Sequence, residues 1–247
     1  DQLGAWETVM KGRALLWKMN RQDNEQAKTL FERAIHISPG KQFGLTDLSL
    51  VYCQQHFYNW GETDEDPFSL MVTTARCAVD ANNGDPLAWT IYAWAVLFSR
   101  DWDEALIAIN RAIKQSPNFA PAIGVKAAIL ACNDEPDHAI TVVQDAIRRS
   151  PYDSFMPYWL LATFWAYHSL QDYESGLKFC SEGHRISPKN PTFLRQLVVC
   201  HYMLGNQRSC DEAIRQYLSV EPTATACDSY RIPSRNKEQL ERYVRIL

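Results

Sequence analysis

"DEALIAINRAIKQSP", residues 103 to 117, decides the fold. Ala105, Ile109 and Ala112 fall at i, i+4 and i+7, which makes one face of a helix. Pro117 ends that helix, because it has no N–H with which to continue the backbone ladder. The pattern returns on both sides. Ala139, Val143 and Ala146 stand before Pro151, and Ala27, Phe31 and Ala34 before Pro39. The endings "AIHISP", "AIKQSP", "AIRRSP", "GHRISP" and "YLSVEP" close on Pro39, Pro117, Pro151, Pro188 and Pro222. The intervals Pro117 to Pro151 and Pro188 to Pro222 are 34 residues each, and the gap between them is 37. A fixed period of this size marks a stacked array, in which one unit cannot bury its apolar face alone.

A second helix precedes each set: Trp89, Tyr92, Ala93 and Val96 before one, Ile123, Lys126, Ala127 and Leu130 before the next. Each unit is thus a pair of antiparallel helices, with small residues allowing close approach. Trp89, Tyr92, Ala93, Ala105, Ala112 and Pro117, followed by Ala127, Ala139, Ala146 and Pro151, resemble the tetratricopeptide repeat family. The resemblance implies an all-α, right-handed superhelical solenoid of about six hairpins. The units fall at about 5–39, 42–83, 86–117, 120–151, 154–188 and 191–222, with a loop and a capping helix over 223–247. That last helix is expected from about Asn236, shielding the open end of the array with Ile232, Leu240, Tyr243 and Leu247.

The departures are specific. The first unit carries an insert at "NRQDN", and the second has Asn83 in place of proline and a long connection at "FYNWGETDEDP". The fifth has Gly183 where alanine is usual, Phe164 at a small position, and about three extra residues near "SFMP". The sixth uses Cys210 and Tyr217. A narrower resemblance rests on "KGRALLWKMN", "FYNWGETDEDPFS" and "LERYVRIL". These are similar to the C-terminal arrays of bacterial signalling proteins that follow an adenylate/guanylate cyclase domain or a winged-helix transcription-regulator domain. The resemblance implies the regulatory part of a larger protein, and no catalytic or DNA-binding residue of those domains carries over.

Composition narrows the function classes. Of 247 residues, 46% are apolar and 22% charged, and the net charge is −4 with Lys and Arg scattered, so the basic footprint of direct nucleic-acid binding is missing. No apolar run reaches the ~18 residues that a membrane span needs. The chain starts at Asp1 rather than Met and reads as a piece of something longer. Seven cysteines lack CxxC or Cys/His ligand spacing, which points to free thiols and an expected cytoplasmic location, the periplasm staying open for a fragment. Cys200 and Cys210 could meet across a hairpin. In "GETDEDPF" the carboxylates Glu62, Asp64 and Glu65 lack calcium-loop spacing, whereas Asp66 before Pro67 reads as a helix cap. There is no serine-nucleophile motif and no phosphate loop. The expectation is no catalytic residue, no cofactor and no metal, with a cyclase possible only upstream.

The candidate site comes from subtraction. In "WTIYAWAVLF", residues 89–98, Trp89, Tyr92, Ala93 and Val96 serve the packing, leaving Thr90, Trp94, Leu97 and Phe98 about 100° away. The same subtraction gives Gly124, Ala128 and Cys132 in the fourth unit, Trp165 and His168 in the fifth, and Arg195, Gln196, Val199 and Tyr202 in the sixth. Helix spacing of about 8–10 Å puts Trp94 and Trp165 about 16–20 Å apart, a notch with its floor at Gly124 and Ala128. Arg195 and His168 supply a polar handle. The expected occupant is a peptide or partner-protein segment, or a small molecule. The other reading makes both tryptophans core and the domain a scaffold, a homodimer included. Arg13, Trp17, Asp47, Leu50 and Gln54 are the equivalent, more polar positions near the N-terminus, suited to a charged segment. Tyr58 and Trp60 either staple their loop or form a secondary contact surface.

Overall fold

The computed structural model describes residues 2–39, 44–61, 66–223 and 225–247. All regular structure among them is helical. Two compact units divide the chain, Asp1–Ala122 and Ile123–Leu247. In the first, α1 (Gln2–Leu16) pairs with α2 (Arg21–Ile37), α3 (Leu45–Tyr58) with α4 (Pro67–Ala81), and α5 (Pro86–Phe98) with α6 (Trp102–Gln115). α7 (Ala120–Cys132) crosses the boundary and leads to α8 (Pro136–Arg149). In the second unit α9 (Met156–Leu170) pairs with α10 (Tyr173–Ile186), and α11 (Pro191–Met203) with α12 (Gln207–Val220). A short 3₁₀ turn, Ala226–Arg231, and α13 (Lys237–Ile246) close the chain.

The punctuation works as the residues dictate. α2, α6, α8 and α10 stop at Ser38, Ser116, Ser150 and Ser187, one residue before each proline. A residue preceding proline is pushed out of the α region. Each of these serines still gives its backbone N–H to the carbonyl four residues back, at Ala34, Ala112, Ala146 and Gly183. Helix starts are capped by side chains at Asn20, Asp66, Asp85, Asp101, Asp172, Asn190 and Asn236. The "NRQDN" insert is no loop: Asn20 caps α2, which runs 17 residues against 14 for α6. Asp66 accepts from the Phe68 and Ser69 amides at 3.2 and 3.1 Å, and its pKa is lowered first by the Ser69 hydroxyl. Glu62, Asp64 and Glu65 lie outside the described residues, and no metal-holding cluster occurs among the described ones.

The packing positions are filled as expected except at Lys126, which is half-exposed. Trp89, Tyr92, Ala93, Val96, Ala105, Ile109 and Ala112 are buried in the first unit, and Ala127, Ala139, Val143 and Ala146 in the second. Asn83, standing where proline is usual, offers its carbonyl to Trp89 Nε1 (2.8 Å) and Gln115 Nε2 (2.7 Å). Bulk and space are exchanged in the fifth hairpin. Phe164 is fully buried, and an added Cβ at Gly176 would make only ordinary contact with its ring at 3.6 Å, so the bulk is absorbed without a special glycine there. At Gly183 a Cβ would sit 2.0 Å from the Phe193 ring, so glycine lets α11 press on α10. Cys200 faces Cys180, Sγ to Sγ 3.9 Å, rather than Cys210, whose thiol points at the Val198 carbonyl at 3.7 Å. The cysteines among the described residues are free thiols.

Candidate functional site

In the first unit the subtracted stripe on α5 splits. Thr90 and Leu97 are buried, with Thr90 turned back onto the Pro86 carbonyl at 2.7 Å. Trp94 and Phe98 are half-exposed, one helical turn apart, their rings 5.8 Å from centre to centre. Trp94 donates its Nε1–H to Cys53 Sγ on α3 at 3.1 Å. Burial raises the Cys53 thiol to about 12, only partly offset by that donor, so it is a passive acceptor at neutral pH rather than a nucleophile. Phe98 meets His56 edge-on at 6.2 Å and Phe57 at 6.0 Å, both half-exposed near the end of α3. His56 also lies 5.3 Å from Phe68 of α4. The result is a half-open aromatic edge over three helices, with an indole pinned at one end.

The N-terminal positions turn inward on themselves. Arg13 forms a two-point ion pair with Asp47, Nε–Oδ1 2.7 Å and Nη2–Oδ2 3.0 Å. Burial works against the Arg13 charge, yet the bond and the charge of Asp47 outweigh it and the pKa is raised. Gln54 bonds the Leu16 carbonyl and Asn24, and Leu50 is buried. Of the positions suited to a charged segment, Arg13, Asp47, Leu50 and Gln54 are therefore spent within the chain, while Trp17 is half-exposed. Asp47 is buried, so Arg13→Ala strands a carboxylate; about 3 kcal/mol of stability is the expected loss in urea unfolding, with Asp47→Asn restoring part of it. Tyr58 and Trp60 stack at 4.5 Å and are both buried, which makes them the staple and removes the secondary surface.

The second unit corrects the notch. Gly124 is no floor: an added Cβ would lie 2.0 Å from Nε1 of Trp159, which fills that space from α9. Ala128 is buried too. Trp165 and His168 are covered by the C-terminal segment. Tyr243 of α13 packs on both rings, centroids 5.3 Å from Trp165 and 5.4 Å from His168. Gln239 donates Nε2–H to the Trp165 carbonyl at 3.1 Å, and the Gln239 carbonyl lies 3.3 Å from His168 Nε2. A carbonyl only accepts, so Nε2 carries the proton and Nδ1, buried without a hydrogen-bond partner, is left as an acceptor. Trp165 Nε1 is buried and unpartnered as well. Desolvation lowers His168 to about 4, with the charge of Arg242 adding to it and the Gln239 carbonyl opposing.

Arg195, 4% exposed, is held between Thr192 Oγ1 (3.2 Å) and Ser229 Oγ (3.4 Å) and over the Tyr217 ring, so it is not a free handle. Tyr202 is 57% exposed and stands apart. Leu247 packs on the Val198–Cys210–Ala213 cluster. The C-terminal segment thus runs along α9 and α11 rather than only sealing an end. At its start Arg235 gives its amide to the Cys132 carbonyl at 2.7 Å and its guanidinium to Asn133 at 2.8 Å. Sequence reasoning missed Trp159, Cys53, His56 and Phe57. For Trp159 the available signal was Gly124, a glycine inside a helix with no turn to make, which points to close packing against it; nothing local marked Cys53, His56 or Phe57. On α10, α11 and α12 an open cleft of about 690 Å³ is lined by His184, His201, Arg208, Glu212 and Arg215, but Arg215 and Glu212 are already paired at 2.6 Å.

No helix among the described residues is long and apolar enough to cross a membrane. No protein-family model and no curated protein matches the chain. Solved structures do. TTC0263, a thermophilic TPR protein of Thermus thermophilus, superposes with a TM-score of 0.58 at 17% identity, over 83% of this chain and 99% of that one. PilW, a widely conserved type IV pilus biogenesis factor, gives 0.58 at 14%, over 81% and 88%. The human IFIT1 dimer structure gives 0.68 at 16%, over 86% of this chain but 49% of that one. These likenesses are of fold: the chain is all-α and has the hairpin architecture of the tetratricopeptide solenoids.

Proposed function

We propose that this chain is a non-catalytic recognition module that binds a peptide or partner-protein segment on the first helices of its hairpins. Within that reading it serves as the regulatory part of a larger bacterial signalling or transcription-regulator protein. The observation that carries it is the Trp94–Phe98 edge with His56 and Phe57, aromatic surface that stays half-exposed after the hairpins have packed. Aromatic side chains give large contact area at low entropic cost, which is why they anchor interfaces. The competing scaffold reading, a stable homodimer with no segment bound, draws on Trp165 and His168 being spent on intrachain packing.

Trp94→Ala separates the two. As a contact residue, half-exposed, Trp94 is expected to cost no more than about 2 kcal/mol of stability on truncation, against about 3–5 for a core tryptophan. Peptides selected on the wild-type chain from a displayed library should quench or shift tryptophan emission and lose at least tenfold in affinity to the variant. A full core-sized loss of stability, no selectable peptide and a stable dimer by light scattering would together decide for the scaffold.

A further inference from the structure

The segment that covers Trp165 and His168 behaves as a bound helix that happens to be tethered. α13 has ten residues, KEQLERYVRI, of which Gln239, Leu240 and Tyr243 are buried. A helix that short is marginal in water, so α13 exists because its seat exists. The seat is specific. It presents the Trp165 carbonyl to Gln239, and a ring wall of Phe164, Trp165 and His168 to Tyr243. The His168 carbonyl receives Arg242 at 3.4 Å. Helix-in-groove recognition uses this arrangement, apolar anchors on one face with polar groups fixing register.

The seat is also incompletely satisfied. Trp165 Nε1, a donor, and His168 Nδ1, an acceptor, stay buried without hydrogen-bond partners, and on the occupant's own side Arg242 Nε is left unmet as well. Buried polar groups left unmet weaken the occupant that leaves them so. We propose that the α9–α11 face is a docking surface for an amphipathic helix of a partner protein, for which α13 is the resident occupant in cis. The partner helix carries an amide followed by apolar and aromatic anchors at the spacing of Gln239, Leu240 and Tyr243. This surface rests on the recognition reading but is distinct from the Trp94 edge, so each stands or falls on its own residues.

The test uses the full chain and a fluorescein-labelled synthetic peptide of residues 225–247 followed by anisotropy. Wild-type chain, with its seat filled at the high effective concentration of a tethered segment, should bind the peptide weakly. Tyr243→Ala, which loosens the resident helix, should bind at least tenfold more tightly. Gln239→Ala, a milder change that leaves both anchors in place, should give a smaller gain in the same direction and serves if Tyr243→Ala fails to fold. Adding Trp165→Ala should abolish the gain, whereas adding Trp94→Ala should leave it. No gain in a loosened variant that keeps its helical circular dichroism would overturn the proposal and leave α13 a structural cap. Dimers of wild-type chain that exchange α13 reciprocally, without peptide uptake by either variant, would overturn it in favour of self-association.

Discussion

Trp159→Ala is expected to cost about 3–5 kcal/mol, the largest single loss in the second unit. Trp159 is 1% exposed and lies where a side chain at residue 124 would otherwise be. Deleting the indole opens a cavity that the backbone of α7, already close, can only partly collapse. Gly124→Ala drives a Cβ to 2.0 Å from the Trp159 Nε1 and should cost about 1–3 kcal/mol by overpacking. The two changes should not add. In the Trp159→Ala background the added methyl enters empty space, so a double-mutant cycle in urea should return a coupling of about 1–3 kcal/mol in the favourable direction. Additive losses would mean that Gly124 is kept for another reason.

Acid is expected to loosen the α9–α13 contact through His168. Its pKa falls from the ordinary 6.5 to about 4 in the folded chain, by burial first and then by the Arg242 charge. The groups facing it are Tyr173 of α10, Arg242 and Tyr243 of α13, and the Gln239 carbonyl, with Phe164 and Trp165 from its own helix. Above pH 6.5 both folded and unfolded states hold a neutral imidazole, and the residue imposes no penalty. As pH falls from 6.5 toward 4 the unfolded chain takes up a proton that the folded chain refuses, and stability drops by about 3 kcal/mol over that window. His168→Gln, whose amide can still donate to the Gln239 carbonyl, should remove this loss. His184 and His201 are also lowered by burial and act with the same sign. The wild-type-minus-variant difference in urea midpoint between pH 7.5 and 4.5 isolates His168, and a difference that does not change with pH would refute the assignment.

The hairpin plan was readable because each device is local. Ala105, Ile109 and Ala112 lie on one helix face by spacing alone, and Ser116 before Pro117 must leave the helix whatever surrounds it. The caps at Asp66, Asp101 and Asp172 are equally local. The site was only half readable. Subtracting packing positions from "WTIYAWAVLF" leaves Thr90, Trp94, Leu97 and Phe98, of which Trp94 and Phe98 are half-exposed while Thr90 and Leu97 are buried. The same subtraction fails at Trp165, His168 and Gly124. What covers those residues comes from other elements of the chain, from Tyr243 more than seventy positions on, beyond the repeats, and from Trp159 in the following hairpin. Arg13 and Asp47 likewise looked available until the fold set them 2.7 Å apart.

The sequence by itself determined the all-helical hairpin array, its proline stops, and the small and apolar positions, such as Ala105, Ile109 and Ala112, that recur on the packing faces. Helical period and proline chemistry act within a few residues and need no knowledge of the rest of the chain. Which of the remaining faces stay open was decided only by the tertiary structure. A tethered segment reaches its seat by long-range packing, and nothing in the spacing of Trp165 and His168 records that Gln239 and Tyr243 will lie on them.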